Sequence, residues 1–90
     1  MEIDKSTHKG KRFKATFSNG KVIHFGATGG STYIDHGDKA KRSAYIARHS
    51  KNNENWQTPY SAGSLSRFIT WGDSTDIKKN IADFKRRFNV

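Results

Sequence analysis

Ninety residues with no cysteine bound the answer at once: the chain is one domain, with neither a disulfide scaffold nor a thiolate zinc site. Seventeen Lys and Arg against eight Asp and Glu give a formal net charge of +9 and a pI near 10.1, a field that draws nucleic acid, anionic membrane or acidic protein. With 32% hydrophobic and 12% aromatic residues, the core is expected to be thin and built on large rings.

The excess charge is concentrated. From Lys5 to Lys51 there are eleven Lys or Arg and two acids, Asp35 and Asp38; from residue 52 onward six basic residues face four acidic ones. No apolar run has membrane-spanning length, and the first residues lack the hydrophobic region of a signal peptide. A soluble protein that neither inserts into a membrane nor is secreted is expected.

Residues 1–10, MEIDKSTHKG, are polar and aperiodic, and read as a flexible N-terminal arm ahead of a domain over 11–90. A hairpin follows over about 12–26. Asn19-Gly20 suits a two-residue type I′ turn, because both central positions of that turn need positive φ. That turn pairs Phe17 with Val22, Thr16 with Ile23, Ala15 with His24 and Lys14 with Phe25. It puts Phe13, Ala15, Phe17, Val22 and His24 on one face. Ile23 and Phe25 fall on the other face with Arg12, Lys14 and Thr16, where they want cover from another element or molecule. GATGGS lacks the P-loop pattern and reads as a flexible turn into an extended STYI rather than a phosphate cradle.

Asp35 or Asp38 can cap a helix over about 38–50. Ala40, Ala44 and Ala47 share a narrow apolar face suited to close packing. Lys41, Arg42, Tyr45, Arg48 and His49 share a broad arc on another side. With Lys11, Arg12 and Lys14, and with Lys39 and Lys51 at the helix ends, they form the candidate nucleic-acid-binding set. Cations there would meet phosphates. Tyr45 is either a base-stacking platform or a core residue.

KNNENWQTPY breaks the periodicity, and Trp56 reads as a core anchor. Ser61 caps a short helix over about 62–71, with Trp71 pinning its end. A last helix over about 74–88, capped by Asp73 or Ser74, carries Ile77, Ile81, Phe84 and Phe88 at i, i+4, i+7 and i+11. The fold class is therefore α+β: an N-terminal hairpin packed with two to three helices. The expected core is Phe13, Phe17, Val22, Leu65, Phe68, Ile69, Trp71, Ile77, Ile81, Phe84 and Phe88.

The runs VIHFG, YIDHGDKAKRSAYIARHSKNNENW and AGSLSRFITWG, with a closing RRF helix, resemble a family of small basic proteins encoded by nucleocytoplasmic large DNA viruses, those of algae and other giant viruses. The likeness covers about residues 11–88. It implies a protein made inside a eukaryotic cell, placed in the virion or in the host cytoplasm or nucleus. Its implied roles are genome packaging, a virion component, or action on a host target.

Asp35-His36, His49 and the asparagines at 52, 53 and 55 resemble the parts of a ββα-metal nuclease. The order is wrong, because here the helix starts at once and the asparagines follow it. No enzyme activity, catalytic residue, metal or cofactor is expected. Two functions remain. The first is binding of DNA or RNA largely without sequence specificity. The alternative is a structural virion component that docks on an acidic viral or host protein surface through Ile23, Phe25 and the N-terminal arm.

Overall fold

In the computed structural model, which describes residues 1–51 and 55–90, three antiparallel strands are followed by four helices, an α+β fold. The strands are β1 (Glu2–Lys5), β2 (Lys11–Thr16) and β3 (Val22–Ala27), in the order β1-β2-β3. The helices are α1 (Tyr33–His36), α2 (Lys39–Ser50), α3 (Ala62–Leu65) and α4 (Ile77–Phe88). A π-helical turn, Ser66–Thr70, extends α3 directly.

The hairpin register differs from expectation by one residue. Thr16 faces Val22, Ala15 faces Ile23, Lys14 faces His24 and Phe13 faces Phe25. The cause is the turn. Gly20 N–H donates to Phe17 O at 3.0 Å, Phe17 N–H donates to Lys21 O at 2.9 Å, and Gly20 takes φ +89° while Asn19 does not adopt positive φ. This is a three-residue loop closed by a left-handed glycine, not a type I′ turn. A slip of one residue exchanges the faces of a strand. Ile23 and Phe25 move inward beside Phe13, Ala15 and Phe17, and Phe25 is fully buried. Val22 moves outward and is 47% exposed, so it leaves the expected core, and His24 goes with it to the outer face.

The segment expected to be a loose arm is also ordered. Glu2 through Lys5 pair with Thr16 through Phe13, and Met1 and Ile3 pack against the core. Its polarity is that of an edge strand, where charges block pairing with further chains.

One core joins the sheet to α3, the π turn and α4. Ala15, Phe17, Phe25, Leu65, Ile69 and Phe84 are its buried residues, with Phe13, Phe68, Ile77, Ile81 and Phe88 packed around them. The helix α4 keeps the expected spacing, but its N-cap is Asp76, whose carboxylate accepts from Lys78 N–H at 3.0 Å; neither Asp73 nor Ser74 caps it. Ser61 caps α3 as expected, accepting from Ser64 N–H. The π turn was not expected. It is marked by the Trp71 N–H to Ser66 O bond at 2.8 Å. Asn80 of α4, fully buried, secures the end of that turn. Its Nδ2 donates to Ile69 O at 2.9 Å and to Ser74 O at 2.6 Å, and its Oδ1 accepts from Ser74 N–H at 3.0 Å. Gly72 is required there, because a Cβ would collide with Phe68 O and the Asn80 side chain.

Truncating the fully buried ring of Phe84 removes the contact that ties α4 to the sheet-facing core. Phe84→Ala is expected to lower the unfolding free energy by about 3 kcal/mol or more in urea titration, a large fraction of the total for a small domain. A change below about 1 kcal/mol would contradict the packing described.

Candidate nucleic-acid interface

The helix α2 begins where Asp38 accepts hydrogen bonds from Ala40 and Lys41 N–H at 2.9 and 3.1 Å; these bonds, that of Lys41 foremost, hold its carboxyl below the ordinary aspartate value. Ahead of it lies α1, where STYI was expected to be extended. Thr32 N–H and its hydroxyl both donate to Asp35 Oδ2 at 2.8 Å, which closes a capping box.

The side of α2 that meets the body is not the alanine side. Ala40, Ala44 and Ala47 are exposed. The inward residues are Arg42, Tyr45, Ile46 and His49. Tyr45 is buried and stacks on Trp71, ring centroids 4.3 Å apart and planes 5° from parallel. His49 stacks on the Tyr45 ring at 4.1 Å, and His36 meets Trp71 edge-on at 5.4 Å. Arg42 completes the clamp. Its Nε donates to Trp71 O and Gly72 O at 3.2 and 2.9 Å, its Nη2 pairs with Asp73 at 2.6 Å, and its guanidinium covers the Tyr33 ring at 5.5 Å. Rings and a long amphipathic side chain bury more area than three alanines, so they decide which side of α2 faces in.

These contacts divide the candidate residues into two groups. Arg12, Arg42 and Tyr45 are structural. Arg12 makes a two-pronged pair with Asp35, at 2.8 and 3.1 Å. That bond, aided by Thr32, draws the Asp35 carboxyl from the ordinary 3.8 to about 2. Tyr45 belongs to the packed interior, not to an exposed platform. The second group is exposed. Lys11, Lys39, Lys41, Arg48 and Lys51 reach solvent and form no ion pair among the described residues.

Lys41 and Arg48 lie within about 20° of each other on the helical wheel, with Lys51 about 60° further round and Lys39 roughly opposite. Lys14 sits apart on the outer face of the sheet, across from Asp4 and His24. There His8 and His24 stack at 3.5 Å. Burial, then His8, Lys14 and Lys11, hold the His24 imidazole below its ordinary value.

Between these elements lies a cleft of about 360 Å³, walled by the 26–32 loop, Lys11, Tyr45 and His49 of α2, and parts of the 62–71 segment. Sequence reading set the loop and the 62–71 segment apart from any site; only the glycine and serine content of GATGGS pointed toward it.

The parts resembling a nuclease do not converge. Asp35 is taken by Arg12 and Thr32, and His36 Nδ1 accepts from Asp38 N–H at 2.8 Å. Asn52 and Asn53 lie outside the described residues. Among the described residues no three His, Asp or Glu side chains are grouped to hold a metal ion. Nor, among them, is any helix long and apolar enough to cross a membrane.

The fold and surface define a small basic α+β domain whose cations are sorted into clamps and a solvent-facing set. Residues 1–49 match DUF5754, a family of unknown function, and the chain belongs to that family. No curated protein and no solved structure matches the chain.

Because Asp35 has its pKa lowered by folding, it adds stability above pH 3.8 that is lost as pH falls toward 2. Asp35→Asn should therefore have a lower melting temperature than the wild type at pH 6, with the gap narrowing by pH 2. A gap unchanged between those pH values would show that the Arg12–Asp35 pair carries no linked stability.

Proposed function

We propose that this protein binds nucleic acid, largely without sequence specificity, through the exposed cations Lys11, Lys41, Arg48 and Lys51. The observation that carries the reading is the unequal use of charge. Of the eleven cations from Lys5 to Lys51, only Arg12 and Arg42 form ion pairs among the described residues. The two acids in that stretch are spent internally, Asp35 on Arg12 and Thr32, Asp38 on the start of α2. Uncompensated exposed cations release condensed counterions when they meet phosphates, which is the source of affinity that does not depend on sequence.

In the setting implied by the resemblance to proteins of large DNA viruses, the ligand is the viral genome or host nucleic acid, met in the virion or in the host cytoplasm or nucleus. No catalytic step is part of the proposal. The alternative partner, an acidic viral or host protein, would use the same charged face, since Ile23 and Phe25 are inside the fold.

Reversing both Lys41 and Arg48 to Glu leaves the Arg42 clamp intact. Fluorescence anisotropy over a salt series should show weaker binding to unrelated DNA and RNA sequences alike, with the slope of log affinity against log salt shallower by about 2. Unchanged affinity and slope in the folded double variant, or no binding by the wild type at low salt, would refute the proposal.

A further inference from the structure

The glycine-rich loop is left without a role by a surface that merely collects phosphates, yet it forms one wall of the 360 Å³ cleft. We infer that this cleft seats one unpaired nucleotide, phosphate and sugar foremost, so that the protein prefers single strands to duplex; the inference rests on the nucleic-acid reading above.

Three features of the cleft argue for this ligand. The first is charge: among the described residues the lining includes Lys11 and no carboxylate. An anion entering there meets no like charge among the described residues. The second is hydrogen-bonding capacity. Thr32 and Thr70 are occupied, with Thr32 donating to Asp35 and Thr70 donating to Ser66 O at 2.9 Å. The hydroxyls of Ser31 and Ser66 have no partner among the described residues, and neither do the backbone N–H groups of Gly30 and Ser31. Two adjacent N–H groups and two hydroxyls around a lysine offer donors to phosphate oxygens and a sugar hydroxyl. The third is shape and wall chemistry. The volume falls within the range of small-ligand sites, about 300–1,000 Å³, and the partly exposed Trp71 supplies an aromatic border. A base joined to the seated sugar can lie along that border. In a duplex the base is paired and the sugar is held in the helical ridge, so only phosphates can touch the outer cations.

The discriminating experiment compares a single-stranded oligonucleotide with a duplex of the same length and ionic conditions by fluorescence anisotropy. It uses the wild type, Ser31→Glu and Ser18→Glu. Ser31 is exposed on the cleft wall, so its replacement brings a carboxylate into the cleft with little demand on the fold. Ser18 lies in the exposed hairpin turn and gives the same change of net charge elsewhere. The wild type is expected to bind the single strand about tenfold tighter than the duplex. Ser31→Glu should abolish that preference, and Ser18→Glu should retain it. Equal wild-type affinity for the two forms, or a preference that survives in Ser31→Glu, overturns the cleft proposal and leaves the basic surface standing. Absence of binding to either form by the wild type overturns both.

Discussion

The attachment of α2 depends on one ring stack and one arginine. Apart from Ile46, the helix offers no aliphatic side chain larger than alanine, so burial alone cannot hold it. Tyr45 against Trp71 provides the apolar contact, and Arg42 satisfies the carbonyls of Trp71 and Gly72 at the point where the π turn ends. Those carbonyls are available because Asn80 and the tight approach of Gly72 fix the chain beyond the turn. The position of α2 thus follows from a buried asparagine on α4, through the Trp71 ring, to the Tyr45 ring. Stacked rings and charge-assisted hydrogen bonds are directional, so they fix the rotation of α2 about its axis as well as its place.

That rotation decides what the basic residues can do. With Arg42, Tyr45 and His49 turned inward, Lys41 and Arg48 are turned to solvent. The same sequence rotated onto its alanines would have exposed Tyr45 and Arg42. Charge was conserved by the same economy elsewhere. Asp35 serves as capping-box residue and ion-pair partner at once, and Asp73 comes from the other end of the chain to meet Arg42. Few carboxylates therefore stabilise much structure while leaving the first half strongly positive.

The parts that could be read from sequence were those with long repeats or explicit caps. Four apolar positions over twelve residues made α4 plain, and Asp38 and Ser61 cap where their chemistry places them. The register of the hairpin was misjudged because Asn-Gly favours one turn geometry without excluding another. The choice was made by burial of Ile23 and Phe25 on the face that α3 covers. The strand β1 has a charged edge sequence, α1 is a single turn, and the π turn has no periodic signature, so none gave a local signal. Of the candidate residues, Lys11, Lys41, Arg48 and Lys51 face solvent, while His49 is half-buried against the Tyr45 ring. Arg12, Arg42 and Tyr45 are held inside the fold by partners, Asp35, Asp73 and Trp71, that lie 23, 31 and 26 positions away. Such distant pairings are made by folding and leave no spacing to read.

A second basic surface exists on α4 and competes for the same role. There Lys79 and Arg86 both bond to Asp83, Arg87 lies over the Phe68 ring at 4.2 Å, and Lys78 and Lys85 remain unpaired among the described residues. An acid, Asp83, sits among its cations. Amide chemical-shift mapping of the isotopically labelled protein, titrated with a short oligonucleotide, separates the two surfaces. The account predicts the largest shifts at Lys11, Ser31, Lys41 and Arg48, with little change along Ile77–Phe88. Shifts concentrated on Lys78, Lys85 and their neighbours, with α2 silent, would contradict it.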